Sequence, residues 1–496
     1  MDQDEVIRKH FDHVFVDRQL DLEALTGLRK YFAVNTESAS LLETLKEEHL
    51  TQFIRDVFEA VMEGFDEDGG KFKTLDDEQK RFRKVALQCL VNAANRSERL
   101  RESIEEDSIR YFRAMLRLEY FKREVLACLV AFAKPLHKKS VLCSEYSDLL
   151  NDIAQLWSHQ STTANERSWI SALIAIYLEE DYAFLADCFA DMDANAFSEL
   201  LVIVETLVDH SETGHTVPYC YYEVKHMNTF QVHSNNVRFC MNLLERIQYE
   251  IGEVVLSSTD DVKEIVDRSE MKLKFDTIDV VNSLISIIAS MALRRPQFDA
   301  ILHNDTTATC LVIRSLEAVV DCEIVKENAL PHIPKAHDRP VPPKQTRREA
   351  IKLPFVDNFS RLLRCDNVSA QQIASLKSAC VQAIGNLCCE SELNQNIVGE
   401  HDGVILLLHC ARRLDTDSPF LMQWAIAALR YVCMGCPQNQ QRLASIEQVT
   451  LKDSFEILIY DKFPSAVIDR DRLLAQLGLR AVIVPDTGKI RLEKIE

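Results

Sequence analysis

Glycine and proline are both scarce in this sequence. Only 12 glycines and 13 prolines occur among 496 residues, which is about half of their usual combined share. Because these two residues are the strongest breakers of helices, most of the chain can form long helices joined by polar turns. Their scarcity predicts an all-α protein.

Long apolar runs are also missing. The longest uncharged run, Val280 to Leu293, has about 14 residues, whereas a helix that spans a bilayer needs about 20. The amino-terminal segment MDQDEVIRKHFDHVF is charged from its second residue and lacks the apolar core of a signal peptide. We expect no membrane insertion and no secretion.

Positive charge is in the minority. The chain has 57 Lys and Arg against 77 Asp and Glu, a formal charge of -20, which repels nucleic acid and anionic membranes. The 15 cysteines are scattered, mostly on apolar helical faces such as those of Cys89, Cys128 and Cys380. This usage is typical of small buried side chains in a reducing compartment. We therefore expect a cytoplasmic protein without a nucleic-acid partner.

Signatures of catalysis have no match in the chain. A phosphate-binding glycine loop, a nucleophile elbow, an HExxH metal site and the kinase motifs are all missing from the sequence. We predict no enzyme, with no catalytic residues and no cofactor. An enzyme whose site is assembled from scattered residues, at the histidine-rich insertion described below, is kept as an alternative.

The sequence does contain a self-repeat with a period of 45 residues, between Leu376 and Leu443. Seven apolar residues of one helical face recur as apolar residues, and the turn Asn394-Gln395 recurs as Asn439-Gln440. The first set is Leu376, Ala379, Cys380, Ala383, Ile384, Leu387 and Cys388, and the second is Leu421, Trp424, Ala425, Ala428, Leu429, Val432 and Cys433. Repeats of about 40 to 47 residues are typical of armadillo and HEAT proteins. We predict an armadillo/HEAT-like superhelix, that is, an α-solenoid.

The chain divides into three predicted regions. Residues 1–327 form amino-terminal armadillo-like repeats with an irregular insertion at 211–236, and residues 328–354 form a proline-rich basic linker. Residues 355–496 form a carboxy-terminal repeat domain. Its last part, with alternating runs at 481–484 and 489–492 around the turn at 486–488, predicts a short β-hairpin that caps the final helical layer.

Two of these regions have a second interpretation. The insertion holds His210, His215, Cys220, His226 and His233, which could ligate zinc together, but their spacing matches no established zinc pattern. A solvated loop without metal is the favoured interpretation. The linker holds two PxxP spacings, of which the second, Pro340 to Pro343, is flanked by basic residues. An extended connector is favoured, and a ligand for an SH3-type module is the alternative.

The register of the repeat also assigns single residues. Cys433 and Cys436 form a CxxC, but Cys433 corresponds to Cys388 on the apolar face and Cys436 to Ser391 at the turn. We predict a buried Cys433 and a turn residue at Cys436, with no redox or zinc chemistry. Trp424 occupies an apolar repeat position, so we predict that it lies in the core.

The segment from Ala383 to Ala444 resembles the carboxy-terminal domain of the ataxin-10 family. The resemblance is carried by the GNLC helix end, the NQN turn, the DGV helix start, the SPFLMQWAIAALR helix and the second NQ turn, and it extends over Ser369 to Glu496. It implies an armadillo-like, non-enzymatic, cytosolic scaffold that acts through other proteins in cell division (cytokinesis), neuronal survival and neurite growth. A homo-oligomer is left open.

The unit is also similar, more distantly, to the armadillo repeats of importins, whose third helix presents a Trp and, four residues later, an Asn that hold a basic peptide. The corresponding pairs are Gln382 and Asn386, then Ala427 and Tyr431, and in the early unit Gln88 and Asn92. Without the tryptophans the surface loses its grip on lysine stems. A nuclear transport carrier is therefore the disfavoured alternative. We predict that Gln382, Asn386, Ala427 and Tyr431 contact other proteins, with Pro340 and Pro343 as further candidates.

Overall fold

Helices make up nearly all of the regular structure. The computed structural model describes residues 3–444 apart from 16, 18–19, 35–37, 67–70, 73–74, 118–119, 141–143, 182, 214–231, 254–276, 296, 330–353 and 412–416, together with 479–483 and 490–494. The helices of the first half are α1 Gln3–Phe15, α2 Leu22–Val34, α3 Ser38–Glu43, α4 Glu47–Met62, α5 Asp77–Arg96, α6 Glu98–Glu102, α7 Ser108–Leu116, α8 Lys122–Ala131, α9 Ala133–Ser140, α10 Ser144–Ser158, α11 Ala164–Glu180, α12 Phe184–Asp191 and α13 Ala194–Thr213. Those of the second half are α14 Ser234–Glu253, α15 Thr277–Ala292, α16 Thr307–Ala329, α17 Pro354–Leu362, α18 Ala370–Cys388, α19 Glu392–Glu400, α20 Gly403–Ala411 and α21 Leu421–Cys433. A π-helical turn spans Asp299–His303, and residues 437–444 are helical.

Eight of the described helices pack side by side in one row. These are α2, α5, α8, α11, α13, α15, α18 and α21, each in contact with the next, and we call them the helix row. Helices α4, α7, α10, α14 and α16 pack against it. The prediction of an all-α chain of packed helical repeats is confirmed for the described residues.

Local sequence fixes where the row helices begin. Three of them start with a capping box: Asp76 with Gln79 for α5, Thr163 with Glu166 for α11, and Ser369 with Gln372 for α18. In each box the first side chain accepts a hydrogen bond from the backbone N–H of the second residue, and the second side chain accepts one from the N–H of the first. Such a cap stabilises a helix by about 1 kcal/mol.

The apolar core crosses the predicted domain boundary without a break. One cluster of buried side chains runs from Phe11 to Val432, and α15 packs on α18 while α16 packs on α17 and α18. Helix α16 continues to Ala329 and α17 begins at Pro354, so the helices on either side of residues 330–353 share one core. Pro340 and Pro343 lie outside the described residues.

The predicted insertion is helical at both ends, because α13 continues to Thr213 and α14 begins at Ser234. Most of the predicted zinc ligands fall outside the described residues, and the metal interpretation stays untested there. Among the residues that are described, no group of three or more His, Cys, Asp or Glu side chains is arranged to hold a metal ion. In the same residues no helix has the length and apolarity needed to span a bilayer.

Strands contribute two small antiparallel pairs. Strands β1 Phe65–Asp66 and β2 Lys71–Phe72 pair with each other, as do β3 Leu479–Ile483 and β4 Ile490–Lys494, with Leu479 opposite Lys494. The turn that the sequence predicts at 486–488 lies outside the described residues. The predicted capping role of this carboxy-terminal pair stays a prediction.

Candidate protein interaction surface

Helices α18 and α21, which carry the predicted contact residues, approach each other closely. A Cβ atom placed on Gly385 would lie 3.3 Å from the Cα and Cβ atoms of Ala428. The missing side chain of Gly385 lets the two backbones come this near. Gln382 and Asn386 therefore lie on one helix of the row, and Ala427 and Tyr431 on the adjoining helix.

The Asn-Gln pairs that the sequence predicts as turns lie instead within helices, in Glu392–Glu400 and in 437–444, and they connect one repeat layer to the next. The side-chain amide of Asn394 donates to the carbonyl of Leu387 near the end of α18 (3.1 Å) and to that of Leu302 in the preceding layer (2.8 Å). Asn439, 45 residues later, donates in the same way to Val432 (3.0 Å) and Gln395 (2.8 Å). Both asparagines are buried, so both pairs of bonds are made away from water.

The glutamines of the two Asn-Gln pairs differ in the hydrogen bonds that they make. Gln395 donates to the carbonyl of Cys388 (3.2 Å) and also, in the following layer, to those of Tyr431 (2.9 Å) and Met434 (3.1 Å). Gln440 donates to the carbonyl of Cys433 at 2.8 Å and is exposed. The structure describes no layer that follows it. Gln440 thus makes the bond to its own layer that Gln395 also makes, but it has no described following layer to which it could donate.

The outer side of α21 is exposed and carries large apolar side chains together with the polar Gln423 and Arg430. Its side chains are exposed by 57% at Phe420, 38% at Trp424 and 50% at Ile426, and the rings of Phe420 and Trp424 lie 6.2 Å apart. The prediction that Trp424 lies in the core is wrong. Its equivalent in the preceding repeat, Ala379, is buried because α18 has a neighbour on both sides, α15 and α21. We call this exposed side of α21, with Phe420, Trp424 and Ile426 and the polar Gln423 and Arg430, the end face.

Some of the predicted contact residues are partly buried or already hydrogen-bonded within the chain. Gln382 and Tyr431 are half-buried and Ala427 is exposed. The amide of Asn386 donates to the carbonyl of Ala289 on α15 at 2.9 Å, so it ties two row helices together. In the early unit Asn92 makes the equivalent bond, to the carbonyl of Arg29 on α2 at 3.0 Å. This recurring bond has no sequence signal beyond the asparagine itself.

The two cysteines of the CxxC are buried in the opposite order from that predicted. Cys436 is buried and Cys433 is half-buried. Cys436 packs at the start of the last described helix, with its Sγ 3.6 Å from Asn396 Oδ1. Cys433 is on α21, which has no following layer among the described residues. Burial raises the pKa of the Cys388 and Cys433 thiols, which keeps both protonated and unreactive near neutral pH.

A buried ion pair beside α18 was missed by sequence reasoning. Lys377 is buried, and its Nζ lies 2.6 Å from Glu323 Oε1 on α16, while His409 Nε2 lies 3.5 Å from Glu323 Oε2. Burial alone would raise the pKa of Glu323, but the nearby His409 and the charge of Lys377 outweigh it, so the pKa lies below its usual value. The repeat register contained a signal for this burial, because the residue 45 positions after Lys377 is the apolar Met422.

Comparison with known proteins assigns the repeat region. Residues 376–460 match the family model of the spinocerebellar ataxia type 10 protein domain. The chain is 39% identical to Ataxin-10 of Xenopus tropicalis over 79 residues, 16% of each chain. It is 35% identical to Ataxin-10 of Bos taurus over 92 residues (18% of this chain, 19% of the relative) and 40% identical to that of Homo sapiens over 78 residues (16% of each).

The aligned stretch is short on both sides of each comparison. It spans less than a fifth of the length of these curated relatives. A crystal structure of an engineered protein covers 87% of this chain and 99% of its own at 13% identity, with a TM-score of 0.24, which is too low to support an argument about the fold. The resemblance predicted from the sequence is confirmed over residues 376–460.

Proposed function

We propose that this chain is a member of the ataxin-10 family and a non-enzymatic scaffold that binds other proteins through an armadillo-like α-solenoid. The match of residues 376–460 to the family model supports the membership. The helix row supports the solenoid, since each of its eight helices packs on the next. Bonds that repeat with the 45-residue period support it as well. Proteins built in this way offer long helical surfaces to partners.

The exposed end face is the observation that carries the proposal. Exposed aromatic and aliphatic side chains on the last described repeat are typical of an interaction site, because an uncovered outer layer otherwise needs a polar side. Gln395 donates hydrogen bonds to the following layer and α18 packs on α21 there. Gln440 and the end face have the equivalent positions for a layer that would follow α21. The surface is therefore suited to one more helical layer.

We propose a second copy of this chain as the partner on the end face. The short name of the matched family model refers to homo-association of the ataxin-10 domain. A second copy brings an identical α21, and the apolar side chains of two such helices can bury each other in a closed symmetric contact. Contacts to other proteins are proposed along the row, at Gln382, Asn386, Ala427 and Tyr431.

The location and cellular processes follow from the family resemblance alone. We propose a cytoplasmic protein that takes part in cytokinesis and in neuronal survival or neurite growth. The alternative, a nuclear transport carrier, is disfavoured because Gln382 and Ala427 stand where the carrier needs tryptophan. A binding assay with basic localisation peptides separates the two, and we expect no binding.

Sedimentation equilibrium of the full chain tests self-association. We expect a concentration-dependent mass above that of one chain, and we expect Trp424→Asp to return it to the monomer because an unpaired carboxylate cannot be buried in an apolar contact. Tyr249→Asp on α14 is the matched control, since Tyr249 is also an exposed aromatic residue. A wild-type chain that stays monomeric, or equal effects of both substitutions, would refute the second copy as partner.

A further inference from the structure

A groove crosses the other end of the helix row. It has a volume of about 550 Å³ and is formed by α2, α5, α8 and α11. We call it the amino-terminal groove. Its lining residues are Arg29, Lys30, Ala33 and Val34 of α2; Gln88, Val91, Asn92 and Asn95 of α5; Arg123, Glu124, Ala127, Val130 and Ala131 of α8; and Trp169 of α11.

The groove is positively charged on a strongly acidic chain. Arg29, Lys30 and Arg123 line it, and Lys30 and Arg123 are exposed. Glu124 is the one acidic residue of the lining, and its carboxylate is paired with Lys84 at 3.3 Å. Since the whole chain has a formal charge of -20, a local excess of positive charge marks this surface as a site for anionic groups.

Hydrogen bonds hold the floor of the groove in place. The Arg29 guanidinium donates to Gln88 Oε1 at 2.6 Å, and the Gln88 amide donates to Glu124 Oε1 at 3.1 Å. The amide of Asn92 fixes the backbone of Arg29 through a bond of 3.0 Å. Three neighbouring helices are thus linked by side chains, so a ligand meets an arginine whose position is already set.

Apolar side chains line the groove between the charged ones. Val91, Val130, Ala131 and Trp169 are partly buried and pack against the core. Four helices spaced by about 9 Å span about 27 Å, which corresponds to about eight residues of extended chain. A peptide of that length could place apolar side chains on this floor and acidic ones beside the cations.

We propose that the amino-terminal groove binds an extended acidic segment of a partner protein, with its carboxylates at Arg29, Lys30 and Arg123 and its apolar side chains on the strip that ends at Trp169. The proposal rests on the proposed function in that it treats the helix row as a protein-binding surface. It specifies a partner chemistry opposite to that of a carrier for basic peptides.

Fluorescence anisotropy with the full chain tests this. The probe is a fluorescein-labelled peptide of about eight residues that alternates aspartate with leucine, and its control replaces each aspartate with lysine. We expect binding of the acidic probe and none of the basic one. The variant Lys30→Glu with Arg123→Glu should lose about tenfold or more in affinity.

Lys138→Glu with Arg238→Glu is the matched control. Both residues are exposed cations outside the groove, so the double substitution changes the net charge equally, and we expect less than about threefold loss. Equal losses in the two variants, no binding of the acidic probe, or stronger binding of the basic probe would overturn the proposal. If sedimentation still shows self-association, the groove assignment fails while the proposed scaffold function stands.

Discussion

Helices α18 and α21 share one sequence pattern and differ in their surroundings. Both present seven apolar residues at equivalent positions, and an Asn-Gln pair follows each of them in the next helix. Helix α18 lies between α15 and α21, whereas α21 has a row neighbour on one side only among the described residues. Val381 is fully buried, and its equivalent Ile426 is 50% exposed. The repeat pattern thus reports which face is apolar, and the number of layers decides whether that face is covered.

The largest expected difference is between aspartate substitutions at these two positions. Val381→Asp places an unpaired carboxylate in the core and should lower the free energy of unfolding by about 3 kcal/mol or more. Ile426→Asp should cost less than about 1 kcal/mol in the dissociated chain, because its side chain stays in water. Urea unfolding at low protein concentration measures both. Equal losses would mean that the end face is covered within a single chain.

A second difference concerns Lys377 and its apolar equivalent, Met422. Lys377→Met should destabilise the chain by about 2 kcal/mol or more at neutral pH, because it leaves Glu323 with His409 as its one remaining partner in this cluster. Adding Glu323→Gln should restore most of the loss. If Lys377→Met alone were as stable as the wild type, the ion pair would add nothing to stability over an apolar residue.

The same pair predicts a pH dependence. The folded-state pKa of Glu323 lies below its ordinary value of 4.5, so its stabilising contribution is complete above about pH 4.5 and is lost as the pH falls through the lower folded-state value. The difference in unfolding free energy between wild type and Lys377→Met should shrink below about pH 4.5. A difference that is constant from neutral to acid pH would contradict this assignment.

The smallest expected difference in stability is between alanine substitutions of the two glutamines, Gln395 and Gln440. Gln395→Ala removes bonds to three carbonyls, two of them in the following layer, and should cost about 1 to 2 kcal/mol. Gln440→Ala removes one bond at an exposed site and should cost less than about 0.5 kcal/mol. Thermal unfolding of both variants measures the ratio. Similar shifts in Tm would indicate that Gln440 already connects to a further layer.

Sequence reasoning predicted the features that recur with the period. The apolar face of α18 follows from residue type and spacing and is present in the structure, whereas the Asn-Gln pairs that were predicted as turns lie inside the following helices. The exposure of Trp424 and the reversed burial of Cys433 and Cys436 could not be predicted this way. Burial depends on whether another layer follows, and a repeat pattern reads the same in the middle of a row as at its end.

The amino-terminal groove shows a second limit of sequence reasoning. Its cations, Arg29, Lys30 and Arg123, come from two helices far apart in the chain and belong to no motif. They meet because α2, α5 and α8 pack in succession, so only the fold reveals the positive surface. Gln88 and Asn92 were identified from the repeat, but their role in holding Arg29 depends on distances in three dimensions.

Hydrogen–deuterium exchange of the full chain at two protein concentrations tests the central claim most directly. We predict that peptides from α18 exchange slowly at both concentrations, and that peptides from α21 exchange faster at the low concentration and become protected at the high one, as a second copy covers the end face. Protection of α21 equal to that of α18 at the low concentration would contradict the account. It would show that the end face is already covered within one chain.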